Sequence, residues 1–176
     1  MIHLITGASA SGKSAYAEGQ LQQARGPEKY YLATMRTWGK EGEERVKKHR
    51  AMREGKGFQT IEAFHTLEEV KLKQPGSLML ECMSNLLANE QFELGGSDEA
   101  ILKRIQNGIQ SLEAQTKDLV IVTNEIFSDG CSYDADTVRY IQLLGRLNIW
   151  LAKRAFLVTE VAYGIPIRHK GGPIHV

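Results

Sequence analysis

An octapeptide near the start of the chain limits its fold most: Gly7-Ala8-Ser9-Ala10-Ser11-Gly12-Lys13-Ser14, a complete G-x-x-x-x-G-K-[ST]. It follows a short apolar run, Ile2 to Thr6, and precedes a helical stretch marked by Ala15, Ala17 and Leu21. Strand, loop, helix is the context in which this pattern becomes a phosphate-binding loop. The glycines let the backbone turn so that successive N–H groups face one anion, and the helix N-terminus adds its positive end. Lys13 is then expected at the β- and γ-phosphates, with the Ser14 hydroxyl on Mg²⁺. The octapeptide predicts a nucleoside-triphosphate binder.

The remainder of the chain agrees with that start. Short apolar runs at Lys29 to Ala33, Ser77 to Glu81, Asp118 to Thr123 and Ala155 to Val161 alternate with longer helical stretches. Thr60-Ile61 reads as a short strand or a turn, and Ala155 to Val161 as the last strand. Ile101, Ile105, Ile109 and Leu112 give one apolar helix face; Val138, Ile141, Leu144 and Leu147 mark another helix. Four or five continuous apolar strands separated by helices predict an α/β fold, a mostly parallel sheet covered on both faces. At 176 residues, against a prior of roughly 150 per domain, one nucleotide-binding domain over residues 1–176 is expected.

Composition narrows the function. A formal net charge of +1 argues against a nucleic-acid or anionic-membrane binder, and no apolar run approaches the roughly 20 residues of a membrane span. Two cysteines, Cys82 and Cys131, cannot build a disulfide framework, and the start of the chain carries no basic, cleavable leader. A cytoplasmic protein is expected.

Two further features carry chemistry. A second acidic residue is expected to hold the Mg²⁺ through water at the end of a buried strand; Glu81, closing Leu78-Met79-Leu80, is the better candidate and Glu125 the other. Arg45, His49 and Arg53 recur every four residues, so a helix over Glu41 to Arg53 would stack them on one face among Lys47, Lys48 and Arg50. Such a face attracts a triphosphate, and its positive charge disfavours imidazolium, leaving a nucleophilic imidazole. The alternative is a solvated charged face with an incidental histidine. Of the other histidines, His3 is expected to be structural and His65 to open and cap a helix. His169 and His175 fall in a tail around Lys170-Gly171-Gly172-Pro173 expected to be loosely ordered.

Together these residues resemble the bifunctional adenosylcobinamide kinase / adenosylcobinamide-phosphate guanylyltransferase family of cobalamin biosynthesis. The similarity runs in order through Gly7–Ser14, Ala33-Thr34, the stretch Arg45 to Arg53, Thr60-Ile61-Glu62, and Leu80-Glu81-Cys82 with Asn89. It continues through Val122-Thr123-Asn124-Glu125, Gly145-Arg146-Leu147-Asn148 and Gly164-Ile165-Pro166. The resemblance implies a P-loop, RecA-like sheet and a homotrimer. It implies that His49 attacks the α-phosphorus of GTP, releasing pyrophosphate, and that GMP then passes to adenosylcobinamide phosphate. In the other half-reaction ATP or GTP would phosphorylate adenosylcobinamide. Nucleotide contacts would come from Gly7, Ala8, Ser9, Ala10, Ser11, Gly12, Lys13 and Ser14, from Ala33, Thr34 and Met35, and from Arg50, Ala51, Met52, Arg53, Glu62 and Glu81.

The chain departs from the family pattern at Ala10, where an arginine is usual, and at Glu81, where aspartate is usual. The segment R-x-F-R-D reads Arg139-Tyr140-Ile141-Gln142-Leu143. Two other readings stand beside the bifunctional enzyme: a P-loop small-molecule kinase or NTPase that depends on Lys13 and not on His49, and a non-catalytic nucleotide-binding module.

Overall fold

The structure is a computed structural model, and it describes residues 1–36, 55–126 and 132–172. Its centre is a seven-stranded sheet made from β1 (Ile2–Thr6), β2 (Glu28–Ala33), β3 (Gln59–Glu62), β4 (Gly76–Glu81), β5 (Thr116–Val122), β6 (Leu157–Ala162) and β7 (Ile165–Lys170). The spatial order is β3-β2-β4-β5-β1-β6-β7, with every neighbouring pair parallel except β6 and β7. Helices α1 (Lys13–Gln23), α2 (Met83–Asn89), α3 (Asp98–Gln115) and α4 (Ala135–Arg154) lie against it.

The strands are apolar on both faces because both faces are covered. Side chains alternate along a strand, so Ile2 and Leu4 of β1, Leu78 and Leu80 of β4, and Leu119 and Ile121 of β5 share one face. There they pack with Met83 and Leu86 of α2, Ile101, Ile105 and Ile109 of α3, and Leu143, Leu144 and Leu147 of α4. Ile5, Tyr31, Met79, Val120 and Val122 take the other face with Ala17 and Leu21 of α1. This is the P-loop, RecA-like arrangement: the strand that feeds the phosphate loop (β1) is separated by β5 from β4, which ends at Glu81. Ser97 and Asp134 begin α3 and α4 by accepting hydrogen bonds from the N–H groups of Ala100 and Thr137.

The sequence reading needs three corrections. The described residues form seven strands rather than four or five. Ala155 to Val161 is not the last strand: it starts later, at Leu157, and turns back into β7 through Tyr163 and Gly164. Both turn residues have positive φ, 53° and 80°, the backbone that a two-residue hairpin needs and that Tyr-Gly does not advertise. The stretch expected to be a loose tail thus contains the end of β7, with His169 bonded to Glu160; His175 lies outside the described residues. Finally, His65 does not open an α-helix; its ring bonds Thr66, the residue before a single 3₁₀ turn, Leu67–Glu69.

Candidate active site

The carboxyl ends of β1 to β6 form one edge of the sheet, where ligands of open parallel sheets bind. Gly7 to Ser14 leaves β1 there and is closely buttressed. A Cβ on Gly7 would lie 2.5 Å from the Val161 carbonyl oxygen and 2.6 Å from Ser11 Oγ, so only glycine fits. Gly12 turns at φ +93°, a left-handed value that glycine adopts without strain. Inside the loop Ser11 N–H bonds the Ala8 carbonyl (3.2 Å), and Gly164 N–H of the β6–β7 turn bonds the Ser11 carbonyl (2.8 Å). The C-terminal hairpin thus props up the N-terminal loop. Ala8, Ser9 and Ala10 are exposed on its outer surface, with Ala10 at φ +57°.

Lys13 folds back over the loop and donates to the Ala8 carbonyl at 3.0 Å. Burial lowers its pKa, opposed by its coulombic interactions with Cys82 and Glu81. Burial also pushes the Cys82 thiol up. Ser14 Oγ donates to Glu81 Oε1 at 2.5 Å, and the other carboxylate oxygen accepts from the Tyr31 hydroxyl. Glu81 is 8% exposed, so a buried carboxylate is fixed at both oxygens beside the loop's hydroxyl. Glu125 meets the loop differently, through its backbone N–H on the Gly7 carbonyl (3.1 Å).

The profile of the family described as cobinamide kinase / cobinamide phosphate guanyltransferase matches residues 3–169. The chain belongs to this family. Among similar curated proteins are the bifunctional adenosylcobalamin biosynthesis proteins CobU of Salmonella typhimurium (29% identical) and CobU of Escherichia coli (28%); each alignment covers 97% of this chain and the whole relative. The protein of that name designated CobP, from Pseudomonas aeruginosa, is 28% identical over 99% of this chain and all of its own length. In fold, the chain resembles the flagellar accessory protein FlaH from Methanocaldococcus jannaschii, with a TM-score of 0.52 at 13% identity. That match covers 97% of this chain and 78% of FlaH.

Within the cobinamide kinase / guanyltransferase family frame, the remaining expected residues divide into two groups. Ala33, Thr34, Met35 and Glu62 lie on the same sheet edge: Ala33 pairs with Glu81 on one side and with Glu62 on the other. Thr34 is fully buried, its hydroxyl donating to the Cys82 carbonyl and accepting from the Cys82 N–H, so its side chain braces the turn. Glu62 is exposed at one end of a groove of about 550 Å³ lined by Ile61, Phe64, His65 and Arg36. Arg36 is held there over the Phe64 ring at 4.8 Å and against Glu93 at 2.9 Å. His49, Arg50, Ala51, Met52 and Arg53 lie outside the described residues. After that stretch, Lys56 pairs with Glu18, which is buried on α1.

Tyr31 as the partner of Glu81, and Ser84 and Asn89 as buried polar anchors, were not singled out for those roles from sequence. Asn89 donates to the carbonyls of Thr34 and Phe64, both at 2.8 Å, stapling the chain beyond β2 to the chain beyond β3. The only available signal was polarity inside the otherwise apolar helix Met83–Asn89. The departures in α4 also have structural roles. Leu143, in place of the usual aspartate, is fully buried in the core; Tyr140 donates to the Ser84 carbonyl; and Arg139 binds Asp98 at 2.7 Å.

Proposed function

We propose that this protein carries out both family reactions from one P-loop domain spanning residues 1–176. It phosphorylates adenosylcobinamide with ATP or GTP and transfers GMP from GTP to adenosylcobinamide phosphate. The observation that carries this reading is the family match across residues 3–169 of a chain whose Gly7–Ser14 loop meets a buried carboxylate through Ser14.

The loop's backbone N–H groups and the N-terminus of α1 bind the phosphates, and Lys13 moves from the Ala8 carbonyl to a phosphate oxygen. Ser14 and Glu81 are hard oxygen ligands, the chemistry Mg²⁺ takes, and the usual protein share of such a site is one or two side chains. Bound there, Mg²⁺ would neutralise charge on the phosphate oxygens. Tyr31 keeps Glu81 oriented while Ser14 exchanges its partner.

In the transfer half-reaction a His49 ring nitrogen attacks the α-phosphorus of GTP, an N–P bond forms, the α–β P–O bond breaks, and pyrophosphate leaves. A phosphate oxygen of adenosylcobinamide phosphate then attacks the same phosphorus, and His49 departs with its electron pair. Arg50, Ala51, Met52, Arg53 and Glu62 line the nucleotide in this reading, and the working assembly is a cytoplasmic homotrimer. Among the described residues no helix is long and apolar enough to cross a membrane.

The test is intact-protein mass after incubation with GTP and Mg²⁺, beside His49→Ala. The expected result is a GMP-sized adduct on the parent, absent from the variant and released in mild acid. Bound GTP without an adduct would overturn the covalent step and leave a kinase or a binding module.

A further inference from the structure

Asn124 lies immediately beyond β5, between the loop that leaves β1 and the chain that leaves β4. Its two neighbours tie it to the β1 side: Thr123 N–H bonds the Ile5 carbonyl at 2.9 Å and Glu125 N–H bonds the Gly7 carbonyl at 3.1 Å. On the β4 side its own Nδ2 donates to Ser84 Oγ at 2.6 Å. Ser84 is itself buried and fixed, contacting Cys82 Sγ at 3.0 Å through its hydroxyl and accepting from the Tyr140 hydroxyl at its carbonyl. From α4, Asn148 accepts from Thr123 Oγ1 (2.7 Å) and donates to the Asn124 carbonyl (3.4 Å).

The backbone around Asn124 is thus held from β1 and α4, and Ser84 holds a half-buried side-chain amide whose Oδ1 and second amide hydrogen have no hydrogen-bond partner among the described residues. A core position would ordinarily be apolar, and a surface asparagine would not be fixed from three elements. The position itself suggests a ligand. Ser14 reaches from the loop to Glu81 on β4, and β5 is the strand between β1 and β4. A triphosphate cradled by Gly7 to Ser14 with its reacting end toward Glu81 therefore passes over the carboxyl end of β5.

We propose that Asn124 donates its free amide hydrogen to the terminal phosphate of the bound nucleotide, with Ser84 as the residue that positions it. This rests on the nucleotide reading of the loop, and it makes Asn124 the group that distinguishes triphosphate from diphosphate. A preorganised donor on the terminal phosphate also stabilises charge as that group transfers in the kinase half-reaction.

Isothermal titration of β,γ-imido-GTP and of GDP, with Mg²⁺, tests it in the parent, Asn124→Ala and Asn124→Asp. One hydrogen bond to a charged oxygen predicts an affinity loss of about tenfold for the triphosphate analogue in Asn124→Ala. GDP affinity should stay within about twofold, since the diphosphate never reaches the amide. Asn124→Asp should lose more, because it places a negative charge against the phosphate. It is nearly isosteric and its carboxylate can accept from Ser84, so it keeps the test intact should the alanine variant fail to fold. Equal losses for both nucleotides would make Asn124 a structural brace, and no loss for either would remove it from the site; each overturns the proposal. A parent protein that binds neither nucleotide would instead sink the loop reading, and this inference with it.

Discussion

His3 shows how a single residue in the sheet acquires a pH-dependent role. Alternation along β1 turns it to the face covered by α1, where it is 7% exposed, bonded to Thr159 Oγ1 at 2.9 Å and edge-on to Tyr16. Burial first, and the positive charge of Arg168 second, push its pKa down from 6.5 to about 4. Between those values the unfolded chain holds a proton on His3 that the folded protein excludes. Stability therefore falls as pH drops from about 6.5 to about 4 and levels off below, by a total of about 3 kcal/mol from this group. His3→Gln keeps a partner for Thr159 and removes the titration. Urea unfolding at pH 7 and pH 4.5 should show a smaller acid loss in the variant; equal losses would show that His3 is not the group responsible.

Two helix glycines with the same local chemistry should respond to alanine with opposite signs. Alanine in a helix interior is worth about 1 kcal/mol over glycine. At Gly19 of α1 a new Cβ meets nothing within 4 Å, so Gly19→Ala should stabilise by about 0.5–1 kcal/mol. At Gly108 of α3 the new Cβ would fall 2.6 Å from the Cβ of Leu67, which is buried under the helix. Overpacking of that kind costs about 1–3 kcal/mol, enough to outweigh the propensity gain, so Gly108→Ala should destabilise. Thermal melts of the two variants decide this, and a rise in Tm for Gly108→Ala would mean that the 3₁₀ turn at Leu67 moves away freely. No periodicity in the sequence distinguishes the two glycines, because the difference comes from an element about 40 residues away.

Across the whole molecule the sheet has a stability gradient from centre to edge. Ile121 on β5 is fully buried between neighbouring strands and helices, whereas Ile165 on the antiparallel edge strand β7 is 63% exposed. Ile121→Ala should cost about 2–5 kcal/mol and Ile165→Ala no more than about 0.5 kcal/mol, read from denaturant midpoints at constant slope. Comparable losses at both positions would mean that β7 is covered in solution, as a homotrimer using that edge would require. The same arrangement explains why the candidate site draws on distant parts of the chain: the β6–β7 turn supports the loop at residues 7–14, and α4 helps hold the end of β5.

What the amino-acid sequence determined by itself is local or periodic. The phosphate loop is legible at Gly7 to Ser14 because its chemistry lies in consecutive backbone N–H groups and two neighbouring side chains. The α/β class follows from apolar runs and helical spacing, which record how each element is buried. Register and strand order decided the rest. Ser14 donates to Glu81 at the end of β4, one strand beyond β5 from the loop, while Glu125 meets Gly7 through its backbone; Tyr31 becomes the partner of Glu81 only through the pairing of β2 with β4. The hairpin at Tyr163-Gly164, the buried Leu143 and the bracing of Asn124 by Ser84 and Asn148 likewise depend on contacts distant in sequence. Such contacts form only when the sheet closes its register and the helices dock, so no window along the chain carries them.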